Sequence, residues 1–174
     1  LLRGSYHDET SVYPTSLGDT RAALHAQLGH QSADNKLKLN FTTSFSVNRN
    51  NLTASDLAGY VNTNPMLKLY DENGQLNWEE GGISYTAMGF PNMNPLKFQY
   101  ETYDGNFKNL NSNMVADYRL PYHLNLKVSL GYNMMLSDEI TTVPSSSLNP
   151  YSNLKPSSNF GNRSLNSWIA EPQL

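Results

Sequence analysis

Residues 36–48 read KLKLNFTTSFSVN, and their two-residue alternation decides the fold class. Apolar and threonine side chains occupy the odd positions from Leu37 to Val47, whereas lysine, asparagine, threonine and serine occupy the even positions. A helix cannot keep a period of two on one side, so the stretch predicts a β-strand with one apolar and one polar face. At about 3.3 Å per residue the apolar positions span roughly 33 Å, well beyond a modal strand of five or six residues.

The same alternation recurs along the chain and predicts about six strands, hence an all-β fold. Tyr122 to Met134 forms a second clear run, and weaker runs cover 21–31 and 110–120. The predicted strands lie near residues 1–7, 20–32, 36–48, 109–119, 122–135 and 164–174. Both chain ends fall inside patterned segments, which predicts a piece of a longer chain; a processed mature protein is the alternative.

Parity predicts antiparallel pairing, because facing residues in such a pair share a face and have a constant sum of residue numbers. Apolar positions are even in 21–31 and odd in 36–48, so the loop between them has an even length. A two-residue turn at Asp34-Asn35 satisfies this rule. In the runs 110–120 and 122–134 the apolar positions both have even residue numbers. This predicts a loop of odd length between them, with three or five residues centred on Pro121.

The connections alternate between short and long, and this favours a membrane barrel. The long ones cover 8–19, 49–108 and 136–163, and a loop of about sixty residues is unusual in a compact soluble domain. Outer-membrane barrels combine short periplasmic turns with long external loops, and their apolar band is about 25 Å tall. A 33 Å strand tilted near 45° rises about 24 Å. The turns 33–35 and 120–122 are therefore predicted to be periplasmic, and the long loops external.

The alternation also predicts which side chains face lipid and which face the barrel lumen. The predicted lipid-facing residues are Leu37, Leu39, Phe41, Phe45, Leu124, Leu126, Val128 and Leu130. The predicted lumen-facing residues are Lys38, Asn40, Asn125 and Lys127.

Composition narrows the function classes. The 174 residues are 38% hydrophobic and only 16% charged, with 22 Asn, 19 Ser, 11 Thr and 11 Tyr, which is typical of a β protein with a polar, wet surface and not of a disordered chain. A net charge of −3 provides no basic face for nucleic acid. The absence of cysteine excludes disulfides and a thiol nucleophile. No apolar run approaches the roughly 20 residues of a membrane helix.

No motif for covalent chemistry occurs in the sequence, so we predict neither enzymatic activity nor a cofactor. Asp71, Asn73 and Gly74 superficially match a calcium loop, but the glycine follows the aspartate too closely and no glutamate occupies the twelfth position. We therefore predict a plain turn there and no metal site. His25 and His30 lie five residues apart and fall on opposite faces of a strand, which disfavours a shared metal.

The long loop 49–108 concentrates aromatic rings and side-chain amides, the groups that select a neutral polymer by stacking and hydrogen bonding. These side chains are therefore candidates for contact with a substrate or a partner; the alternative for each is that it packs the loop onto itself. The candidates are Tyr70, Trp78, Tyr85, Asn92, Asn94 and Tyr103.

Five short motifs, in this order and with these loop lengths, resemble the barrel of SusC/RagA-type TonB-dependent transporters. They are YHDETSVYP at 6–14, FSVNRN at 45–50, LYDENG at 69–74, NPL at 94–96 and RSLNSW at 163–168. Residues 69–74 predict a hairpin with Asn73-Gly74 at its tip, and 94–96 the start of a short helix.

The resemblance implies an outer-membrane location in a Bacteroidota-type bacterium and a 22-stranded transmembrane barrel with an internal plug. It also implies import of oligosaccharides or peptides, with a SusD-like surface lipoprotein as lid and with energy supplied through TonB. The chain departs from the family because it has no TonB box, no plug domain and only about six strands. Residues 1–174 would thus be a partial barrel domain, accompanied by the remaining pieces of the transporter.

Two other functions are compatible with the residues. A soluble carbohydrate-binding β-sandwich has the same Asn- and Tyr-rich composition, and it would not need detergent. A barrel enzyme such as an outer-membrane lipase or protease is disfavoured, because the sequence reveals no nucleophile–base pair.

Overall fold

One antiparallel six-stranded sheet dominates this computed structural model, which describes residues 1–12, 17–53, 55, 56, 60, 66–90 and 94–174. Strands account for 63% of the described residues, so the all-β prediction is confirmed. In chain order the elements are β1 (Leu2–Thr10), β2 (Gly18–Gln31), β3 (Leu37–Thr53), β4 (Glu79–Glu80), β5 (Ile83–Ser84), α1 (Lys97–Tyr100), β6 (Thr102–Arg119), β7 (Asn125–Val143) and β8 (Ser157–Gln173). The sheet is not closed into a barrel.

Each strand of the sheet pairs with the next long strand in sequence, in the order β1-β2-β3-β6-β7-β8. The register is unbroken along every pair; Leu24 faces Phe45, and Leu110 faces both Phe45 and Met134. Facing residues thus share the parity that the alternation predicts, because a slip of one residue would turn each apolar side chain to the opposite face.

The turn between β2 and β3 has the predicted even length, but the prediction of two residues is wrong. Ser32 N–H donates to the Leu37 carbonyl oxygen over 2.9 Å, which leaves the four residues 33–36 in the loop. Only Asn35 adopts a positive φ, of 57°. Asp34 Oδ1 accepts hydrogen bonds from Ser32 Oγ and from the Lys36 N–H, so side-chain acceptors and not a primed turn stabilise this loop.

The turn between β6 and β7 has three residues, Pro121–His123, as the odd-length rule predicts. Leu120 N–H donates to the Leu124 carbonyl oxygen over 2.9 Å and closes it. Its centre is Tyr122 and not Pro121, and both Tyr122 and His123 have a φ of 64°. Both short turns lie at the same end of the strands.

At the end opposite the short turns, the strands extend further than the alternation predicts. β3 continues six residues past Val47 to Thr53, and the long connections shrink to 11–17, 54–101 and 144–156. The extensions are mostly polar, as Arg49, Asn50 and Asn51 illustrate, with isolated apolar pairs such as Ile140 and Phe160. Backbone pairing continues there without an apolar face, so a pattern of hydrophobic residues cannot reveal where the strands end.

The two faces of the sheet differ sharply in chemistry. The apolar face carries the odd residues of β3 up to Val47 and the residues that face them, including Lys108 beside Val47 in its outermost row, and the polar face carries the even ones. Leu39, Ala116 and Val128 form one row of the apolar face, and Lys38, Asp117 and Lys127 form one row of the polar face. The predicted division of side chains between two faces is therefore confirmed.

The apolar face has no buried core of its own. Leu28 is 63% exposed and Trp168 is 79% exposed on it. Among the described residues, the buried hydrophobic side chains are Leu76, Trp78 and Tyr85, and all three lie in the connection 54–101. The second sheet contains only the two-residue strands β4 and β5, so it does not form a layer over the leucines.

A row of six polar side chains ends the apolar face across all six long strands. Thr20 Oγ1 donates to Asp8 Oδ1 over 3.0 Å, Arg49 forms an ion pair with Asp104 at 3.2 Å, and Asn162 donates to Asp138. The row comprises Asp8, Thr20, Arg49, Asn106, Asp138 and Asn162. This boundary row separates the apolar band from the polar strand extensions.

Gly105 lies on the polar face beneath two aromatic side chains. A Cβ atom there would lie 2.7 Å from Phe107 Cε2 and 2.8 Å from the Tyr103 hydroxyl, so Gly105→Ala must displace both rings. We expect a loss of about 1–2 kcal/mol in the free energy of unfolding, measured by denaturant titration. Gly161 is the control: it stands two strands away in the same row, and a Cβ there would make an ordinary 3.5 Å contact with Glu139. Equal effects of the two substitutions would contradict this account.

Candidate functional site

The polar face of the sheet and the connection 54–101 form the candidate site. The central rows of this face carry hydroxyl and amide side chains, because the even positions of β3 and their partners are serine, threonine and asparagine. In one row Ser44 faces Asn111, Asn111 faces Asn133, and Asn133 faces Ser167. His25 Nδ1 lies 2.8 Å from Ser44 Oγ in the same row.

A shallow cavity of about 530 Å³ follows these rows across four strands, from β3 to β8. Its polar lining is uncharged and its apolar lining includes Met135 and Leu165. The polar side chains that line it are Ser44, Ser46, Asn109, Asn111, Asn133 and Ser167.

Charged groups occupy the polar face on both sides of this cavity. Towards the long connections, a second cavity of about 630 Å³ is lined by His7, Glu9, Asp19 and Arg21 among others, and Asn50 Nδ2 donates to Asp19 Oδ2 over 3.2 Å. Towards the short turns stand Lys38, Asp117 and Lys127, which face one another across three strands, with Arg119 and Glu171 nearby.

The connection 54–101 folds around a small core of its own. The predicted hairpin is present: Tyr70 bridges to Leu76, and Gly74 has a φ of 75° at the tip. The predicted short helix is present as α1, with Phe98 N–H donating to the Pro95 carbonyl oxygen. Leu67 and Leu96 pack on the buried cluster of Leu76, Trp78 and Tyr85.

Two buried asparagines hold this core together. Asn94 Nδ2 donates to the carbonyl oxygens of Leu69 over 2.7 Å and of Asn77 over 3.0 Å, and its Oδ1 accepts from the Leu96 N–H over 3.1 Å. Asn77 Nδ2 in turn donates to the carbonyl oxygens of Lys68 and Glu79. Side-chain amides thus satisfy the backbone of a segment that has almost no regular secondary structure.

The long connections also bind each other. Asn149 Nδ2 donates to Thr86 Oγ1 over 2.9 Å, and the Tyr151 hydroxyl donates to Glu79 Oε2 over 2.6 Å. Asn149 is itself buried. The connections 54–101 and 144–156 therefore form one continuous surface at the end of the strands opposite the short turns.

The structure separates the predicted contact residues into buried and accessible ones. Trp78, Tyr85 and Asn94 are buried in the loop core, where Trp78 and Tyr85 pack with Leu76. Tyr70 is 48% exposed. Tyr103 lies on the polar face, and its hydroxyl donates to Glu139 Oε2 over 2.8 Å. Asn92 lies outside the described residues.

Sequence reasoning missed the uncharged cavity and the His25–Ser44 contact. The contact joins residues nineteen positions apart on two strands, and only the register brings them together. The signal was nevertheless present, because the even positions of β3 and the odd positions of β6 and β7 are rich in serine and asparagine. The aromatic residues of the loop were predicted as contact residues instead, but an aromatic ring in a loop can equally stabilise the packing of the loop itself.

Titration of tyrosine side chains at alkaline pH tests the packing of the connections 54–101 and 144–156. Burial, and secondly the nearby Glu80 carboxylate, raises the pKa of Tyr85, and the hydrogen bond to the Glu79 carboxylate raises the pKa of Tyr151. The stabilisation from these protonated phenols is complete below about pH 10, the ordinary tyrosine value, and is lost as the pH rises through the raised pKa values.

We therefore expect a late-ionising component in the phenolate absorbance, which decreases in Tyr85→Phe and in Tyr151→Phe. A late component that persists unchanged in both variants would contradict the observed contacts.

No match is found among protein-family models, curated proteins or solved structures. Within the described ranges, no group of three or more histidine and carboxylate side chains is placed to hold a metal ion. Within those ranges, no helix has the length and apolarity that a membrane crossing requires.

Proposed function

We propose that this chain is a six-strand segment of a transmembrane β-barrel in the bacterial outer membrane, belonging to an importer of the SusC/RagA type. The importer takes up oligosaccharides or peptides. The observation that carries the proposal is the exposed apolar face, which spans six paired strands and which no layer built from the described residues covers.

The dimensions of the apolar face support a membrane as its missing cover. From Leu37 to Val47 the face is roughly 33 Å long along β3, and the boundary row with Arg49 ends it. With the strand tilt of a barrel, this length matches an apolar band about 25 Å tall. A water-soluble protein rarely exposes so large an apolar surface, because burying it releases free energy.

The two outer strands support a larger sheet. Each of β1 and β8 pairs with one neighbouring strand only, so both outer edges carry unpaired backbone donors and acceptors, and every residue of these two strands is exposed. Exposed edges of this length favour pairing with another strand, and inside a bilayer an unpaired edge is prohibitively costly. Strands outside this sheet are therefore expected on both sides, as in a 22-stranded barrel.

Membrane partition tests the proposal directly. We expect the protein in the outer-membrane fraction, resistant to extraction by urea or carbonate and soluble in detergent. Recovery in the soluble fraction without detergent would overturn the proposal and favour the carbohydrate-binding sandwich module.

Protease added to intact cells tests the orientation. The connections 11–17, 54–101 and 144–156 should be cleaved, whereas the turns 33–36 and 121–123 should be spared. Cleavage confined to the short turns would invert the proposed orientation.

The SusC/RagA assignment adds a surface lipoprotein as lid, coupling to TonB and the remaining pieces of the transporter. It is supported by the order of the sequence motifs and by the joined surface of the long connections, on which a lid can rest. Tyr70 offers the most accessible ring among the predicted contact residues.

We expect Tyr70→Ala to reduce ligand uptake or the amount of lipoprotein that co-purifies. Tyr122→Ala is the control, because it removes an exposed ring in the turn between β6 and β7, at the opposite end of the strands. If Tyr70→Ala changes neither measurement, the contact lies elsewhere.

A further inference from the structure

We infer that the uncharged part of the polar face is a binding surface for a neutral oligosaccharide. This inference rests on the proposed function and selects between its two substrate classes. The surface, called the neutral belt, consists of three adjacent rows on β2, β3, β6, β7 and β8. Its members are Ala23, His25, Gln27, Thr42, Ser44, Ser46, Asn109, Asn111, Asn113, Gly131, Asn133, Met135, Leu165, Ser167 and Ile169.

The distribution of charge defines the belt. None of these members is Asp, Glu, Lys or Arg, but Arg3 of β1 faces His25 and so continues the middle row just outside the belt. The next row above contains Arg21 and Arg163, the next row below contains Glu171, and the row after that contains Lys38 and Asp117. At about 4.8 Å between strands, the belt is roughly 19 Å wide, enough for several sugar units.

The side chains of the belt match the hydrogen bonding of a sugar. A side-chain amide and a hydroxyl each donate and accept, as every sugar hydroxyl does, whereas an ammonium group only donates and a carboxylate only accepts. Asn109, Asn111 and Asn133 converge on the 530 Å³ cavity from two adjacent strands, and Ser44 and Ser167 flank them.

Apolar side chains at one side of the belt complete the match. Met135, Leu165 and Ile169 are each about half exposed, so they offer apolar contact to the C–H faces of a sugar ring. A peptide with charged termini or side chains, or an acidic sugar, would lose hydration on the belt without gaining an opposite charge. Charge complementarity therefore favours a neutral oligosaccharide over a peptide.

Binding to the full protein in lauryldimethylamine oxide micelles tests the inference. The probes are four neutral hexasaccharides, one each of glucose, mannose, galactose and xylose, an oligogalacturonate of equal length, and a hexapeptide of glycine and serine with free, charged ends. We expect at least one neutral hexasaccharide to bind, and the acidic sugar and the peptide to bind more weakly.

Substitution locates the site. Combining Asn111→Leu with Asn133→Leu should weaken binding of the neutral sugar by about tenfold or more, because two donor–acceptor groups are lost. Combining Asn111→Asp with Asn133→Asp keeps the side-chain size and should also weaken it. Asn125→Leu removes an amide of the same face outside the belt and should leave the affinity unchanged. Resistance of the folded barrel to sodium dodecyl sulfate at room temperature checks that each variant is folded.

The outcomes separate this inference from the proposed function. The belt is not the site if no neutral hexasaccharide binds, or if the folded double variants bind as the parent does. Peptide binding that the double variants abolish would also overturn the inference and make the belt a peptide surface. If the protein is soluble without detergent and the double variants still weaken sugar binding, the inference holds and the transporter proposal fails.

Discussion

Leu130→Arg should destabilise the inserted sheet by about 2–4 kcal/mol, the cost of an arginine on the lipid side of a barrel near the bilayer midplane. Leu130 stands on the apolar face and is 38% exposed. On β7 the apolar positions run from Leu126 to Leu136, and Asp138 in the boundary row follows them. Leu130 therefore lies close to the middle of the band, where no water can solvate a guanidinium.

Two nearby residues of β7 provide controls. One tests the depth of the side chain in the bilayer, and the other tests the face of the sheet on which it lies. Leu126 pairs with Tyr118 in the row nearest the short turn, so Leu126→Arg should cost only about 0–1 kcal/mol. Ser129 points to the polar face, and Ser129→Arg should cost little as well. The stability of the three variants is measured by reversible unfolding from lipid vesicles. Equal effects at Leu130 and Ser129 would be incompatible with a lipid-facing apolar side.

Asn94→Ala should destabilise the folded connection 54–101 by about 2–4 kcal/mol. The Asn94 side chain is fully buried and makes three hydrogen bonds to backbone groups. Its removal leaves the Asn77 carbonyl oxygen and the Leu96 N–H without this partner, whereas the Leu69 carbonyl oxygen keeps its hydrogen bond from the Asn77 N–H. Each unsatisfied buried group costs about 1–3 kcal/mol. Relaxation and entering water recover part of that sum.

Hydrogen exchange in the connection is the appropriate measurement, because the sheet and this loop need not unfold together. The amides around Leu76 and Trp78 should exchange about 30-fold faster or more in Asn94→Ala, the rate change that corresponds to about 2 kcal/mol. Asn153→Ala, at an exposed asparagine of the neighbouring connection, is the matched control. Unchanged exchange in Asn94→Ala would mean that apolar packing alone holds the loop.

Local pattern was sufficient to predict the sheet but not its limits. The alternation in KLKLNFTTSFSVN placed each side chain of β3 on its face, since the period of a strand is set by backbone geometry alone. Parity then gave the pairing of β2 with β3 and of β6 with β7. The extension from Asn48 to Thr53 escaped detection because its ladder continues between polar residues, where no apolar side marks the strand.

The connection 54–101 illustrates the opposite case. Its hairpin and short helix follow from local signals at Asn73-Gly74 and Asn94-Pro95, and both are present. The sequence offered no means to decide whether Trp78 and Tyr85 point outward or inward. Their burial depends on contacts with residues such as Leu67 and Leu96, which only the folded loop brings near.

The sequence by itself determined the all-β class, the pairing of β2 with β3 and of β6 with β7, and the division of the sheet into an apolar and a polar face. These depend on period and parity, which each strand carries locally. The tertiary structure decided which aromatic rings are buried, how the two long connections join, and that uncharged side chains from five strands meet in one belt. Such features arise because the register aligns residues that are far apart in the chain, and no local pattern records which rows will be neighbours.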